Sequence, residues 1–307
     1  MKNLNILILH FTTILLLGLN SSCSWATERI TNNENYFLVG CTPGDDLIKL
    51  QLGIQADTKI DFIRWDLRFD KSNTFVLNIK FGENQPNTLG FVAGGQSKDF
   101  QGTYTISKNA NNEFYHLKAE QLKITLVKLN DNLFHLLTAE NRLMVGNGGW
   151  SYTLNNKNPK EIIADLPILT SFDYILNDNP LQVIYDGRTP CQEFATEHQM
   201  NVSEACFKLK WKLTLNRDSV TFSPTTYSIR KVVDGVAGDI TGTWSIVKGT
   251  KSNPNAIIYQ LETDKANKTI SLFVGDENVL YFLHKNENLF IGNDNFSFTL
   301  NKRPSTL

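Results

Sequence analysis

Val145-Gly146-Asn147-Gly148-Gly149-Trp150-Ser151-Tyr152-Thr153-Leu154-Asn155 returns, altered, as Ile291-Gly292-Asn293-Asp294-Asn295-Phe296-Ser297-Phe298-Thr299-Leu300-Asn301. In both stretches a Gly-Asn turn leads into alternating aromatic and hydroxyl residues and ends on Leu-Asn. Upstream, four further landmarks recur in the same order and at nearly constant separation. Gly40-Cys41-Thr42-Pro43-Gly44 matches Gly187-Arg188-Thr189-Pro190-Cys191. Ile63-Arg64-Trp65-Asp66-Leu67 matches Leu209-Lys210-Trp211-Lys212-Leu213. Gly102-Thr103-Tyr104-Thr105-Ile106 matches Gly242-Thr243-Trp244-Ser245-Ile246. Asn132-Leu133-Phe134-His135-Leu136 matches Asn278-Val279-Leu280-Tyr281-Phe282. Shared order of this kind marks an internal duplication. The first copy spans 36–155, the second 181–302, and a linker of 156–180 joins them.

Within each copy, apolar residues fall on alternate positions, the period of a strand with one buried face. Each copy holds seven or eight such short runs, separated by Gly, Asn and Asp turns. This spacing predicts an all-β antiparallel barrel or sandwich. The linker opens on Asn156-Lys157-Asn158-Pro159 and closes on Asn177-Asp178-Asn179-Pro180. Its apolar run, 162–176, is expected to hold a helical turn or two broken by Pro167.

A chain of 307 residues suffices for two domains. Lys and Arg total 30 against 31 Asp and Glu, so there is no basic footprint and nucleic acid is excluded as an expected partner. A hydrophobic content of 41% and the lack of long charge runs argue against a disordered scaffold. The first residues read as a secretory leader, with Lys2 ahead of an apolar run from Leu4 to Leu19. Two cleavage readings compete. Small residues before Cys23 suggest a bacterial lipobox, which would end the leader at 22 and lipidate Cys23; Asn20 departs from that pattern. Ser24-Trp25-Ala26 instead offers a small-x-small site, ending the leader at 26. No later run is long and apolar enough to span a bilayer, so membrane attachment would rest on the lipid at Cys23.

Three cysteines remain after either cleavage: Cys41, Cys191 and Cys206. In an oxidising compartment the simplest arithmetic is one disulfide and one odd thiol. Catalytic patterns are missing. His116, His135, His198 and His284 form no His-Glu-x-x-His, no Gly-x-Ser-x-Gly elbow is present, and the glycine-rich turns lack the Lys-Ser/Thr of a phosphate loop. The expectation is a protein that is not an enzyme, with no cofactor and no metal.

The second copy resembles the N-terminal domain of NlpE-type envelope lipoproteins. The residues that carry this are Tyr185-Asp186-Gly187-Arg188-Thr189-Pro190-Cys191, the strand Lys210 to Leu215, Thr226-Tyr227-Ser228-Ile229, Gly242 to Ile246 and Leu280 to Lys285. The first copy shares mainly the Thr-Pro, the Trp strand and Gly-Thr-Tyr. The resemblance implies two tandem lipocalin-like β-barrels in the cell envelope, outer-membrane-bound, periplasmic or secreted, in a family associated with stress sensing, adhesion and copper tolerance. The family's Cys-x-x-Cys is absent: fourteen residues separate Cys191 from Cys206, and the first copy has Gly44 and Ile60 at those places.

Cys191 and Cys206 read as a structural disulfide, or as a redox or soft-metal site completed by His198 and Met200. Cys41 reads as buried and inert, with pairing to another chain or modification as the alternatives. Trp65, Tyr104, Trp211 and Trp244 either fill the barrels or line a ligand cavity, because small barrels do both. The function implied is a non-enzymatic bacterial envelope protein that binds or senses a small apolar ligand or an envelope protein. Copper or redox handling around Cys191 and Cys206, and a purely structural surface role, are the alternatives.

Overall fold

The structure, a computed structural model, describes residues 35–109, 112–161, 166, 167, 169, 180–233, 235–263 and 269–304. The expected leader, Cys23 and nearly all of the linker run 162–176 lie outside the described residues. Among the described residues no helix is long and apolar enough to cross a membrane.

The alternation folds as it reads. The first barrel comprises β1 (Tyr36–Pro43), β2 (Phe62–Phe69), β3 (Thr74–Gly82), β4 (Gln96–Asn109), β5 (Asn112–Lys118), β6 (Lys123–Asn130), β7 (Leu133–Leu137) and β8 (Thr153–Asn156). The second comprises β9 (Gln182–Thr189), β10 (Leu209–Arg217), β11 (Pro224–Val233), β12 (Val236–Lys248), β13 (Ile257–Thr263), β14 (Thr269–Val274), β15 (Val279–Leu283) and β16 (Thr299–Lys302). Every strand pairs antiparallel with its sequence neighbours, and the last closes on the first, β8 on β1 and β16 on β9. Closure of both eight-stranded barrels gives every strand a neighbour on each side, so neither has a free edge strand, the usual site of sheet aggregation.

Inward residues of each barrel form one packed cluster. In the first, Trp65, Leu67, Phe75, Leu77, Tyr104, Tyr115, Leu126 and Phe134 are all buried together. A short helix follows the first strand of each barrel and lies across one end: α1 (Asp46–Gln51) and α2 (Gln192–Glu197). Ile48 and Leu52 of the first connection and Phe194 of the second sink into the cores. Phe194 packs edge-on to Trp211 at 4.9 Å.

The repeated closing stretch does more than end each barrel: it joins them. Ser151 Oγ meets Ser297 Oγ at 2.5 Å, Thr153 Oγ1 meets Thr299 Oγ1 at 3.0 Å, and the Tyr281 hydroxyl donates to His135 Nδ1 at 2.8 Å, each pair 146 residues apart. Off the axis the contacts are exchanged. Gly146 N–H donates to Asn301 Oδ1 at 2.7 Å, and Gly292 N–H donates to Asn155 Oδ1 at 2.8 Å. Residues that meet their own duplicates on an axis, and swap partners beside it, define an isologous two-fold interface. Here it lies within one chain. An apolar cluster surrounds it, in which Val127, Leu133, Leu137 and Leu143 pack with their counterparts Phe273, Val279, Leu283 and Leu289.

This seam explains the composition of the stretch. Asn147 Oδ1 accepts from Gly149 N and Trp150 N at 2.9 and 3.0 Å, and Asn293 Oδ1 accepts from Asn295 N and Phe296 N at the same distances. These side chains build the turn. A Cβ on Gly146 or Gly292 would come within 2.2 Å of the carbonyl oxygen of Trp150 or Phe296. The sequence suggested that the aromatic/hydroxyl alternation is itself strand. The structure starts β8 and β16 only at Thr153 and Thr299, because the preceding hydroxyl and amide groups are committed to the turn and the opposite barrel. Between β15 and β16, Leu289 pairs with Leu283 through an isolated bridge.

Candidate functional site

The four aromatic residues singled out in the sequence all lie in the cores, and each polar handle is bonded within its own barrel. Trp65 Nε1–H donates to Thr42 Oγ1 at 2.8 Å, and Trp211 Nε1–H to Thr189 Oγ1 at 2.9 Å. The Trp244 indole donates to Asn216 O at 2.7 Å, and the Tyr104 hydroxyl to Asp70 O at 2.9 Å. A buried Tyr or Trp needs such a partner, and these have theirs from the protein itself. The repeated Thr-Pro motif thus acquires a role: its threonine anchors the central Trp of the next strand in both barrels.

Cys191 and Cys206 form a disulfide that ties the end of β9 to the approach of β10, across the connection that carries α2. Both sulfurs are occupied, so neither is a thiolate ligand while the bond stands. His198 stacks on Phe194 at 4.1 Å, and Lys231 Nζ donates to Met200 Sδ at 3.8 Å. The second anchor of α2 is a polar one. Glu197 accepts from His284 Nδ1 and, at 2.8 Å, from Lys285 N–H. Burial works against the Glu197 charge, but His284 and that amide outweigh it and hold the carboxyl below its usual range. Neighbouring Glu193 is pushed up by burial and lies 3.6 Å from His284 Nε2. Among the described residues no group of three His, Cys, Asp or Glu side chains is placed to hold a metal ion.

Cys41 is buried, and its Sγ–H donates to Asp294 O of the other barrel at 3.3 Å. Burial pushes the thiol up to about 12, so it keeps its proton and is a poor nucleophile.

Two polar constellations escaped the sequence reading. On the outer face of the first barrel, His116 bridges Ser107 Oγ at 2.7 Å and Thr125 Oγ1 at 3.2 Å. Strand register sets Thr125 directly opposite His116 and Ser107 diagonally across from it. A threonine stands where a catalytic triad has a carboxylate, so nothing in the row offsets the charge of an imidazolium. In the seam, His135 Nε2–H donates to Met144 O at 2.9 Å, which leaves Nδ1 as an acceptor for the Tyr281 and Thr153 hydroxyls. Burial lowers this imidazole to about 4, so it is neutral. Both constellations are built to hold strands, and neither pairs an activated nucleophile with an oriented base.

The open end of the first barrel, opposite α1, carries a groove of about 530 Å³ lined by Phe37, Arg68, Thr74, Val76, Asn158 and Lys160 among others. Arg68 lies 4.3 Å from the Phe37 ring and Lys157 5.0 Å from it, so a half-buried aromatic is ringed by cations.

Comparison of the chain with protein-family models, curated proteins and solved structures finds no match.

Proposed function

We propose that this chain is a non-enzymatic protein of the bacterial envelope that recognises a partner protein through its outer surfaces and barrel mouths. Filled cores carry this reading. Trp65, Tyr104, Trp211 and Trp244 are spent on internal packing and internal hydrogen bonds, so the residues best suited to line a cavity are already satisfied. The groove at Phe37 combines aromatic, cationic and amide groups on a rigid strand end, a composition suited to protein recognition. The leader pattern of the first residues and the resemblance of the second copy's sequence motifs to envelope lipoproteins support a site of action outside the cytoplasm, with a lipid on Cys23 as the proposed anchor.

Native mass measurement of gently purified protein should return the mass of the processed chain alone; a co-purifying small apolar molecule would overturn the surface reading. A photo-crosslinking residue at Phe37, in intact cells, should give a discrete protein adduct that is lost with Arg68→Glu. Cys23→Ser should move the protein from the membrane to the soluble fraction, and an unchanged distribution would remove the lipid anchor from the proposal.

A further inference from the structure

A second groove, of about 210 Å³, lies where the barrels meet, with Asn87 from the first barrel facing Phe207, Lys208, Lys210 and Val232 of the second. The β9–β10 register puts Lys210 directly opposite Arg188. Like charges opposite one another across strands repel. Lys208 adds a third positive group beside them. The Arg188 guanidinium rests against Gly149 and lies 5.0 Å from the Trp150 ring. Lys208 lies 4.8 Å from the Phe207 ring. Arg188 and Lys208 are half-buried, and among the described residues none of the three cations makes an ion pair; Asp61 is the carboxylate nearest enough to Arg188 to be felt. Burial, Arg188 and Lys210 all hold the Lys208 ammonium below its ordinary value.

Such a cluster costs stability as it stands, and the duplicate does without it. At the matching places the first barrel has Cys41, Phe62 and Arg64, with Cys41 again opposite Arg64 in register. That arginine is already engaged, donating to Leu89 O at 2.6 Å and Asn295 Oδ1 at 2.9 Å. Arg188 and Lys208 are therefore particular to the second barrel, and Lys210, unlike its counterpart Arg64, makes no hydrogen bond among the described residues.

We propose that Arg188, Lys208 and Lys210 form an anion site for a phosphate group. Lys208 and Lys210 line the groove and supply compact charge, Arg188 stands beside it opposite Lys210 with a guanidinium fork suited to phosphate oxygens, and the groove has room for one tetrahedral anion. Both a soluble phosphate and a phospholipid headgroup present this chemistry.

Titration of the full processed protein with inorganic phosphate at low ionic strength, followed by phosphorus NMR or calorimetry, tests the site. Binding in the millimolar range or tighter is expected, weakened at least about tenfold in Arg188→Gln/Lys208→Gln and unchanged in Lys80→Gln. Since Arg188 packs against the seam, Lys210→Gln, with its exposed side chain, serves as the second variant and should also weaken binding. In a parallel arm, vesicles of phosphatidylglycerol in phosphatidylcholine are compared with phosphatidylcholine alone. Variant-sensitive binding to the anionic vesicles assigns the site to headgroups, and phosphate binding without vesicle binding assigns it to soluble phosphate. Failure of both, or binding that ignores all three side chains, overturns the site.

Discussion

The two barrels keep one seam and differ at the helix that follows their first strand. In the first barrel, α1 is held by polar contacts: Asp45 accepts from Ile48 N–H at 3.0 Å and from the Tyr152 hydroxyl. In the second, Cys191 caps α2 without a side-chain bond, and the disulfide to Cys206 secures that end of the helix while Glu197 secures the other. The place of the bridge is filled in the first barrel by Gly44 and Ile60, and a Cβ on Gly44 would sit 2.3 Å from Ile60 Cγ2. Tyr152 has Phe298 as its counterpart, which cannot donate. One architecture thus secures the same element by a hydrogen-bonded cap with close packing, or by a covalent tie. The difference teaches that duplicated positions are free to diverge where each faces only its own barrel. Where residues meet their duplicates the contact is kept, by the same residue type at Ser151/Ser297 and Thr153/Thr299 and by a different but still hydrogen-bonded pair at His135/Tyr281.

The largest expected effect breaks the covalent side of this contrast. Cys191→Ser/Cys206→Ser should lower the stability of the second barrel by about 3 kcal/mol, the loop-closure value for a connection of this length. Hydrogen exchange by mass spectrometry should place the lost protection in β9, β10 and α2, with α1 unaffected; equal loss in both barrels would refute independent anchoring. Acid should then probe the seam. His135, lowered to about 4 when folded, takes up a proton more readily in the unfolded chain. Its contribution is therefore complete above its ordinary value near 6.5 and is lost as pH falls through about 4. Asp276, raised by burial to about 6, works in the opposite direction over the same interval. The difference between the protein and His135→Gln isolates the histidine: urea midpoints of the variant should fall less between pH 7 and pH 4.5, and parallel curves would defeat the assignment.

Smaller effects sharpen the packed side. Gly44→Ala should cost about 1–3 kcal/mol through overpacking against Ile60, and Ile60→Ala in the same chain should recover part of it. Additive losses in thermal unfolding would mean that the two do not share the space. Least of all, Ser151→Ala/Ser297→Ala should cost about 1 kcal/mol, less than the two single changes together, because each single change strands a buried partner. A double variant as damaging as the sum would deny the pair.

Repetition and strand period make the barrels legible in the sequence. The period at Trp65 and Trp211 correctly assigned them to an inward face, yet it could not distinguish filled from hollow, since both alternate alike. The leading Thr-Pro was visible as a repeat but not as the partner of that Trp, because a hydrogen bond over 23 or 22 positions is set by strand register. Ser151 and Ser297 were visible only as the hydroxyl half of a repeated aromatic/hydroxyl alternation. Alternation reports which way a side chain points and is silent about what waits there, so the seam stayed hidden. The same limit hid the convergence of Arg188, Lys208 and Lys210. Cysteine count suggested one disulfide and one odd thiol, and Cys191 with Cys206 were singled out by their place in the second copy, with a soft-metal site as the alternative that the disulfide replaces.

The seam also has a consequence for the order of folding. Its contacts join residues 146 positions apart, and a chain made from its N-terminus completes the first barrel before the second exists. During that interval Val127, Leu133, Leu137 and Leu143 lie uncovered beside an unpaired row of hydroxyls. Because the face is self-complementary, another half-made chain offers it the same match as the barrel still to come. Correct folding is therefore a race between the tethered partner and a borrowed one, and the linker, by keeping the tethered partner close, decides it.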